Sequence, residues 1–222
     1  MLRKYFLFSF LLLISFFAFT NDQKNSLIET YNKTYDRELV DIVIKDNIDI
    51  KGKVTSAGSL ALSDNIAEKN AFVVNKLIQA NYFIFGKANL SEWANFRSEN
   101  SVSGWSSFGG QTKHFLSDEY NPCGSSSGSA VAVAQGLVDI AIGTETNGSI
   151  SCPSSINGIV GMKPTTGLVS RSGIIPISSS QDTAGPMGKN VEIVAKTLEA
   201  ISGKDINDEA TLLIPDDFEF NF

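Results

Sequence analysis

Side chains that could hold a metal ion or support histidine-based catalysis are scarce in this sequence. Its 222 residues include one histidine, His114, and two cysteines, Cys123 and Cys152. This count excludes a zinc site of four cysteines, of paired cysteines and paired histidines, or of three histidines. It also leaves a Ser-His-Asp mechanism only one possible base. We therefore expect no metal or other cofactor, and proton chemistry that depends on a residue other than histidine.

Serine and glycine are concentrated between residues 121 and 180. That segment holds thirteen serines, nine glycines and only four charged residues. Within it, the run from Gly124 to Gly128 matches the Gly-x-Ser-x-Gly nucleophile elbow of α/β-hydrolases, with Ser126 at its centre. That fold orders its triad as serine, acid and histidine, whereas His114 precedes Ser126. The elbow interpretation therefore fails, and a serine activated by a lysine remains.

A lysine acts as a general base only when it is neutral, and its ordinary pKa is about 10.4. Burial without a carboxylate partner lowers that pKa, so a basic lysine belongs at the end of an apolar strand. Three lysines fit this description: Lys45, Lys87 and Lys163. For each of them alone, a solvated or salt-bridged lysine is the more ordinary interpretation. The residues themselves leave the three alternatives open.

Strand and helix patterns alternate around these residues, which favours an α/β fold with a mixed, twisted sheet flanked by helices. The periodicity predicts strands at 39–44 (buried, and closed by Lys45), at 82–85, at 138–142 and from 159. It predicts helices at 22–35 (polar), at 66–78 (capped at 63–64), at 130–135 and at 191–201 (amphipathic). A polar loop is expected at 98–125.

The first twenty residues have the composition of a targeting segment. Arg3 and Lys4 precede an almost wholly apolar run over 5–19, followed by polar residues. This pattern is typical of a secretory signal peptide, and the run is short for a spanning helix, which needs roughly 20 apolar residues. We expect cleavage, export and no stable membrane association of the domain over 21–222. An uncleaved anchor is the alternative.

The net charge of the chain further restricts the classes of binding partner that we expect. The chain has 18 basic and 24 acidic residues, a net charge of −6. A basic footprint for nucleic acid is therefore not expected.

Several motifs, in order along the chain, resemble those of the amidase signature enzymes. They are Lys45-Asp46-Asn47, the residues 55–59, Gly86-Lys87-Ala88-Asn89, the residues 122–129, the residues 143–150 and Gly161-Met162-Lys163-Pro164. The resemblance runs from about Val40 to Thr211. The sequence of residues 144–149, followed by Cys152-Pro153, is similar to the corresponding motif in the branch of this family that contains bacterial peptide amidases.

The resemblance implies a role for each matching residue. Ser149 would be the nucleophile, Ser125 the bridging serine on a cis peptide bond, and Lys45 the neutral base. The backbone N–H groups of Thr146, Asn147 and Gly148 would form the oxyanion hole. Ser126 and Ser127 would hold the loop by hydrogen bonds. The implied activity is hydrolysis of a small-molecule or peptide carboxamide through an acyl-serine intermediate.

Members of this family are much longer, so the resemblance also predicts an incomplete domain. A C-terminal half that completes the sheet and the substrate pocket would be missing. The alternative function is therefore a catalytically incompetent fragment or pseudo-enzyme that needs its missing half. A third possibility, the amidotransferase subunit that works on charged tRNA, shares the catalytic core, but the export signal and the acidic charge count against it.

Cys123 and Cys152 flank the two serine loops. In an exported protein two cysteines can form a disulfide. We expect two small buried thiols instead, because both cysteines belong to the sequence motifs and not to a pattern of disulfide cross-links.

Overall fold

The computed structural model of the protein describes residues 22–33 and 39–221, so the predicted signal peptide lies outside the described residues. A six-stranded mixed sheet with the order β1-β3-β2-β6-β8-β7 forms its centre, and a two-stranded ribbon pairs β4 with β5. The strands and helices are β1 (Leu27–Thr30), β2 (Val40–Lys45), α1 (Phe72–Gln79), β3 (Tyr82–Ala88), β4 (Trp105–Ser106), β5 (Gly110–Gln111), α2 (Ser127–Ala134), β6 (Ile140–Glu145), α3 (Ser151–Ile156), β7 (Val160–Gly161), β8 (Thr183–Gly188) and α4 (Val191–Ile201). The expectation of a mixed sheet flanked by helices is confirmed.

Parallel pairing at the centre of the sheet determines where the polar strand ends meet. Strand β2 lies between β3 and β6 and runs parallel to both, with Ile44 opposite Ile142. The carboxyl ends of parallel strands meet at one edge of the sheet. Lys45, the last residue of β2, therefore lies near Glu145, the last residue of β6.

The two faces of the sheet pack against different helices. Ile42 and Ile44 of β2 join the larger hydrophobic cluster, which includes residues of α1 and α4. Val43 belongs to a second cluster, which includes residues of α2. Successive strand residues face opposite sides, so Lys45 faces the same side as Val43, toward α2. This alternation directs the lysine to the serine loop that precedes α2.

The predicted polar helix at 22–35 is wrong, because the described part of this segment contains strand β1. The carboxylate of Asp22 accepts the N–H groups of Ser26 and Leu27 and closes a turn. The chain then pairs antiparallel with β3, where Thr30 lies opposite Gly86. A Cβ atom at Gly86 would lie only 2.2 Å from the carbonyl oxygen of Glu29. Glycine at this position therefore permits the edge pairing, and β3 continues to Ala88 instead of ending at Gly86.

The predicted helix start at residues 63–64 is also wrong. Ile66 forms an isolated bridge with Val54 and its side chain is 61% exposed, so it lies on no buried helix face. The helix begins at Phe72, and the carbonyl of Ala71 accepts the N–H of Asn75.

Tertiary pairing also changes other boundaries. Strand β8 lies antiparallel beside β6 although its sequence contains two glycines and a proline. The small-residue helix begins earlier than predicted, at Ser127, and the strand predicted at 138–142 runs from Ile140 to Glu145. The amphipathic helix over 191–201 is confirmed. No helix within residues 22–33 and 39–221 has the length and apolarity of a membrane span.

Candidate active site

Lys45 is completely buried at the carboxyl end of β2. Its Nζ atom lies 2.7 Å from Ser125 Oγ, 2.8 Å from Thr144 Oγ1 and 3.2 Å from the Thr144 carbonyl oxygen. Burial lowers the pKa of Lys45 from 10.5 to about 7, although the charges of Glu145 and Asp182 oppose this shift. Lys45 thus has a substantial neutral fraction near neutral pH, as a base must.

The other two candidate lysines have different surroundings. Lys87 is as deeply buried as Lys45, but its Nζ atom lies 3.1 Å from Asp46 Oδ1 and donates to the carbonyl of Ile48 at 2.7 Å. Burial lowers the pKa of Lys87, and the charge of Asp46 opposes that shift. Lys163 is exposed and contacts the carbonyl of Gln181 at 3.4 Å. Of the three, only Lys45 is both buried and without an ion-pair partner among the described residues.

Three consecutive serines, Ser125 to Ser127, are buried where the loop before α2 enters the helix. The Gly124–Ser125 peptide bond is cis, as the resemblance implies. Ser126 Oγ donates to the Thr144 carbonyl at 3.1 Å and accepts the Thr144 N–H at 3.2 Å. Ser127 Oγ donates to the Cys123 carbonyl at 2.5 Å. The two bonds of Ser126, the residue at the centre of the rejected elbow, tie the loop to β6, whereas the Ser127 bond stays within the loop.

Ser149 lies on the loop between β6 and α3 and is half-buried. Its carbonyl accepts the N–H of Ser126 at 3.1 Å, which brings the two serine loops together. The Ser149 hydroxyl makes no hydrogen bond to any residue that the structure describes. The predicted nucleophile is therefore next to the predicted relay loop, with its hydroxyl uncommitted.

The turn before Ser149 contains the three amides predicted as oxyanion donors. Gly148 has a left-handed φ of 84°, and its N–H donates to Glu145 Oε1 at 2.8 Å. Within the described chain, the N–H groups of Thr146 and Asn147 have no such acceptor. Two of the three amides are thus open to a ligand, whereas the third holds the turn.

Glu145 is one of two acidic residues of this site to which the sequence assigned no role. Its carboxylate is buried and accepts the N–H groups of Ile150 at 2.7 Å and Ser151 at 2.8 Å, besides that of Gly148. Burial raises the pKa of Glu145, but the bonds from Ser151, Ile150 and Gly148 outweigh it and leave the pKa below its ordinary value. The sequence contained one signal for the role of Glu145. It is an acidic residue shortly before the N-terminus of a helix, and such termini attract negative charge.

Asp182 links the turn before Ser149 to a wall of apolar residues formed by Ile175, Pro176 and Ile177. Its Oδ1 accepts the Thr146 hydroxyl at 2.5 Å, and its Oδ2 accepts the N–H groups of Ile177 and Ser178. Two cavities, of about 320 Å³ and about 380 Å³, border this wall. Both cavities are lined by Asn47, Ile175, Pro176 and Ile177. The first also includes Thr144, Glu145 and Thr146, and the second Trp93, Phe96 and Arg97.

The expectation of two free thiols is wrong, because Cys123 and Cys152 form a disulfide with a Cα–Cα distance of 6.0 Å. Their separation of 29 residues gave no sign of proximity in the sequence. The folding of the Ser125 loop against the start of α3 brings the two side chains together.

His114 has a structural role in this fold. Its Nε2 lies 3.0 Å from the carbonyl oxygen of Ile156, and its Nδ1 accepts the N–H of Leu116 at 3.2 Å. Both ring nitrogens are therefore bonded to backbone groups. No cluster of metal-ligating side chains occurs in the described part of the chain.

Comparison with known proteins relates this arrangement to one family. The family model described as Amidase matches residues 38–222. The crystal structure of native peptide amidase from Stenotrophomonas maltophilia is 48% identical and superimposes with a TM-score of 0.83 over 88% of this chain and 43% of that chain. An amidase family protein from Bacillus anthracis is 40% identical, with a TM-score of 0.79 over 82% of this chain and 36% of that one.

Curated sequences extend the comparison. A glutamyl-tRNA(Gln) amidotransferase chain from Symbiobacterium thermophilum is 44% identical over 186 residues, which cover 82% of this chain and 37% of the relative. The chain spans about 30–41% of the length of such curated relatives. The match to the family model, together with these identities, shows that the chain belongs to the amidase family.

Proposed function

We propose that the protein hydrolyses a carboxamide through an acyl-serine intermediate, with Ser149, Ser125 and Lys45 as a catalytic triad. The observation that carries this proposal is the 2.7 Å contact between Lys45 Nζ and Ser125 Oγ. It joins a buried amine with a pKa of about 7 to a serine on the loop that contacts Ser149. Such a pKa is close to the value that suits a general base at neutral pH.

In the proposed acylation step, Ser149 Oγ attacks the carbonyl carbon of the substrate. Its proton moves to Ser125 Oγ while the Ser125 proton moves to the neutral Lys45 Nζ. The developing oxyanion is bound by the N–H groups of Thr146 and Asn147, which have no other acceptor among the described residues. Gly148 maintains the turn through its bond to Glu145.

Collapse of the tetrahedral intermediate breaks the C–N bond. The amine leaves with the proton that returns from Lys45 through Ser125, and an ester to Ser149 remains. Water then attacks this ester and gives up a proton along the same path. The second collapse releases the carboxylic acid and restores Ser149.

We further propose a small-molecule or peptide carboxamide as the substrate and an oxidising compartment as the site of action. The likeness to a peptide amidase supports the first point. The Cys123–Cys152 disulfide supports the second, since disulfides persist mainly in exported proteins. The net charge of −6 favours such a substrate over a nucleic acid.

Labelling with a fluorophosphonate, followed by peptide mapping, tests the proposed mechanism. We expect modification of Ser149 in the wild-type chain, none at this site in Ser149→Ala and much slower labelling in Lys45→Ala. Lys163→Ala is the matched control, because this lysine is exposed, and it should label at the wild-type rate. Modification at Ser126 would favour the rejected elbow, and an unreactive wild-type chain would favour a non-catalytic role.

A further inference from the structure

Asp182 accepts hydrogen bonds from two separate segments of the chain. Its Oδ1 accepts the Thr146 hydroxyl at 2.5 Å, and its Oδ2 accepts the N–H groups of Ile177 at 2.7 Å and Ser178 at 2.8 Å. Its own N–H donates to the Ser178 carbonyl at 2.9 Å. Among the residues that the structure describes, no lysine or arginine forms an ion pair with it. Backbone groups thus anchor the carboxylate, which is a fixed acceptor for the Thr146 hydroxyl.

The pairing of β6 with β8 explains why these two side chains meet. Glu145, the last residue of β6, lies opposite Thr183, the first residue of β8. Thr146 and Asp182 are the next residues in the same antiparallel register, just beyond the last backbone pair. Their side-chain hydrogen bond therefore extends the connection between the two strands by one step, into the turn before Ser149.

The bond to Asp182 fixes one end of that turn. The turn contains the proposed oxyanion donors, and the N–H of Thr146 is one of the two that have no acceptor within the described chain. At the other end, the N–H of Gly148 donates to Glu145 Oε1 at 2.8 Å. Each end of the turn is therefore tied to a carboxylate. Oxyanion donors stabilise a transition state only when they are held in place, and a displacement of about 1 Å removes much of their effect.

We propose that Asp182 is a positioning residue that holds the Thr146 N–H in place for the developing oxyanion. The inference rests on the proposed function and deepens it. Asp182 acts through Thr146 and not through a contact with the substrate. Its loss should therefore slow the chemical step more than it weakens binding, because the oxyanion charge develops only in the transition state.

A purely structural role makes a different prediction. If Asp182 only closed the turn that precedes β8, its loss would lower the free energy of unfolding. The reactivity of the folded protein would then stay the same.

Labelling of Ser149 by a fluorophosphonate, measured over a range of probe concentrations, separates reaction from binding. The maximal labelling rate reports the reaction, in which the phosphoryl oxygen gains negative charge, and the half-saturating concentration reports binding. In the full chain, Thr146→Val should lower the maximal rate about 10-fold and leave the half-saturating concentration within about twofold. Thr146→Ser, which keeps the hydroxyl, should retain the wild-type rate.

Variants of Asp182 test the same bond from its other side. Asp182→Ala should lower the maximal rate as much as Thr146→Val does. The double variant Asp182→Ala/Thr146→Val should lower it no further, because both changes remove the same bond. Asp182→Asn should retain most of the rate, since its amide can donate to the Thr146 hydroxyl while its oxygen accepts the two N–H groups.

The comparison needs a fixed protonation state of the base. The charge of Asp182 raises the pKa of Lys45, which is about 7 in the wild type. All rates are therefore compared at pH 9, where Lys45 is neutral with and without that charge.

Ser170→Ala is the matched control. Ser170 Oγ donates to Asp205 Oδ2 at 2.6 Å, so this variant also removes a hydroxyl from a carboxylate. Neither residue hydrogen-bonds to the turn before Ser149, and the maximal rate should stay unchanged. Thermal unfolding verifies each variant, and Thr146→Ala replaces Thr146→Val if the latter does not fold.

An unchanged maximal rate in Thr146→Val and Asp182→Ala, an equal loss in Ser170→Ala, or losses that multiply in the double variant would overturn the inference. Weaker binding of the probe with an unchanged maximal rate would do the same. With a wild type that is labelled at Ser149, these results count against the inference alone. A wild type that is not labelled overturns the proposed function and this inference together.

Discussion

Cys123 is bonded to Cys152, so a covalent bridge joins the loop that carries Ser125 to the helix that begins just after Ser149. The bridge acts together with the hydrogen bond from the Ser126 N–H to the Ser149 carbonyl. The two serines that the proposed relay requires are thus held by one covalent and one non-covalent link. The spacing between them depends on both.

Breaking this disulfide should weaken both the fold and the site. For a closed loop of about 30 residues, chain entropy predicts a loss of roughly 3–4 kcal/mol in the free energy of unfolding. Urea unfolding of Cys152→Ala, and of the wild type with and without reductant, measures this loss. The Cys123→Ala/Cys152→Ala double variant should be no less stable than either single variant, since one bond is lost in each case. Reductant that leaves both stability and Ser149 labelling unchanged would contradict the prediction.

Hydrolysis should rise with pH through the pKa of Lys45, about 7, because the proposed base must be neutral. Lys45→Met removes the base and should lower kcat/KM by roughly 10²–10⁴-fold. A pH–rate profile of the wild type measures the ascending limb. A profile that is flat between pH 6 and 8, or nearly full activity in Lys45→Met, would exclude this role.

The same lysine makes stability depend on pH. In the unfolded chain it stays protonated up to its ordinary pKa of 10.5, whereas in the folded chain it loses its proton near pH 7. Between these values the unfolded state binds more protons, so this contribution to the free energy of unfolding increases with pH. Lys45→Met should remove that increase, which urea unfolding at pH 7 and pH 9 would detect.

Glu145→Gln should damage the nucleophile turn and shift the pH profile. The variant weakens bonds to Gly148, Ile150 and Ser151, and hydrogen bonds to a charged group contribute about 1.5–3 kcal/mol. The negative charge of Glu145 raises the pKa of Lys45, so its removal should move the ascending limb to lower pH. Glu192→Gln, on the surface of α4, is the control and should change neither quantity. A limb that stays in place would show that Glu145 has only a structural role.

Removing one partner of the buried Asp46–Lys87 pair should be costly. Lys87→Met leaves the Asp46 carboxylate uncompensated, which typically costs about 3–5 kcal/mol. The Lys87→Met/Asp46→Asn double variant should recover part of this loss, because neither residue is then charged. Thermal and urea unfolding of the wild type, of Lys87→Met, of Asp46→Asn and of the double variant measures the recovery. A double variant whose loss equals the sum of both single losses would show that the pair does not act as a unit.

The sequence predicts best those features that are encoded locally. The apolar run of β2 marked a buried strand that ends at Lys45, and α4 was identified by its amphipathic pattern. Strand β8 escaped prediction because its glycines and proline are weak strand formers. It becomes a strand through antiparallel pairing with β6.

The site shows the same division between local and distant information. The motifs identified Lys45, Ser125 and Ser149, and the structure brings the first two into contact. Glu145 and Asp182 were not singled out, because their roles consist of bonds to backbone amides in turns that only the folded chain forms. The disulfide was missed for a related reason, since its two cysteines meet only when the serine loops pack together.

The parallel pairing of β2 with β6 has a consequence for the order of folding. Lys45 meets Thr144 across 99 positions of the chain and Ser125 across 80. Closing such long loops costs entropy before any contact compensates for it, and contacts of this range slow folding. The helices have short-range contacts and can form earlier. Reactivity toward an active-site label should therefore return late in refolding, together with the centre of the sheet.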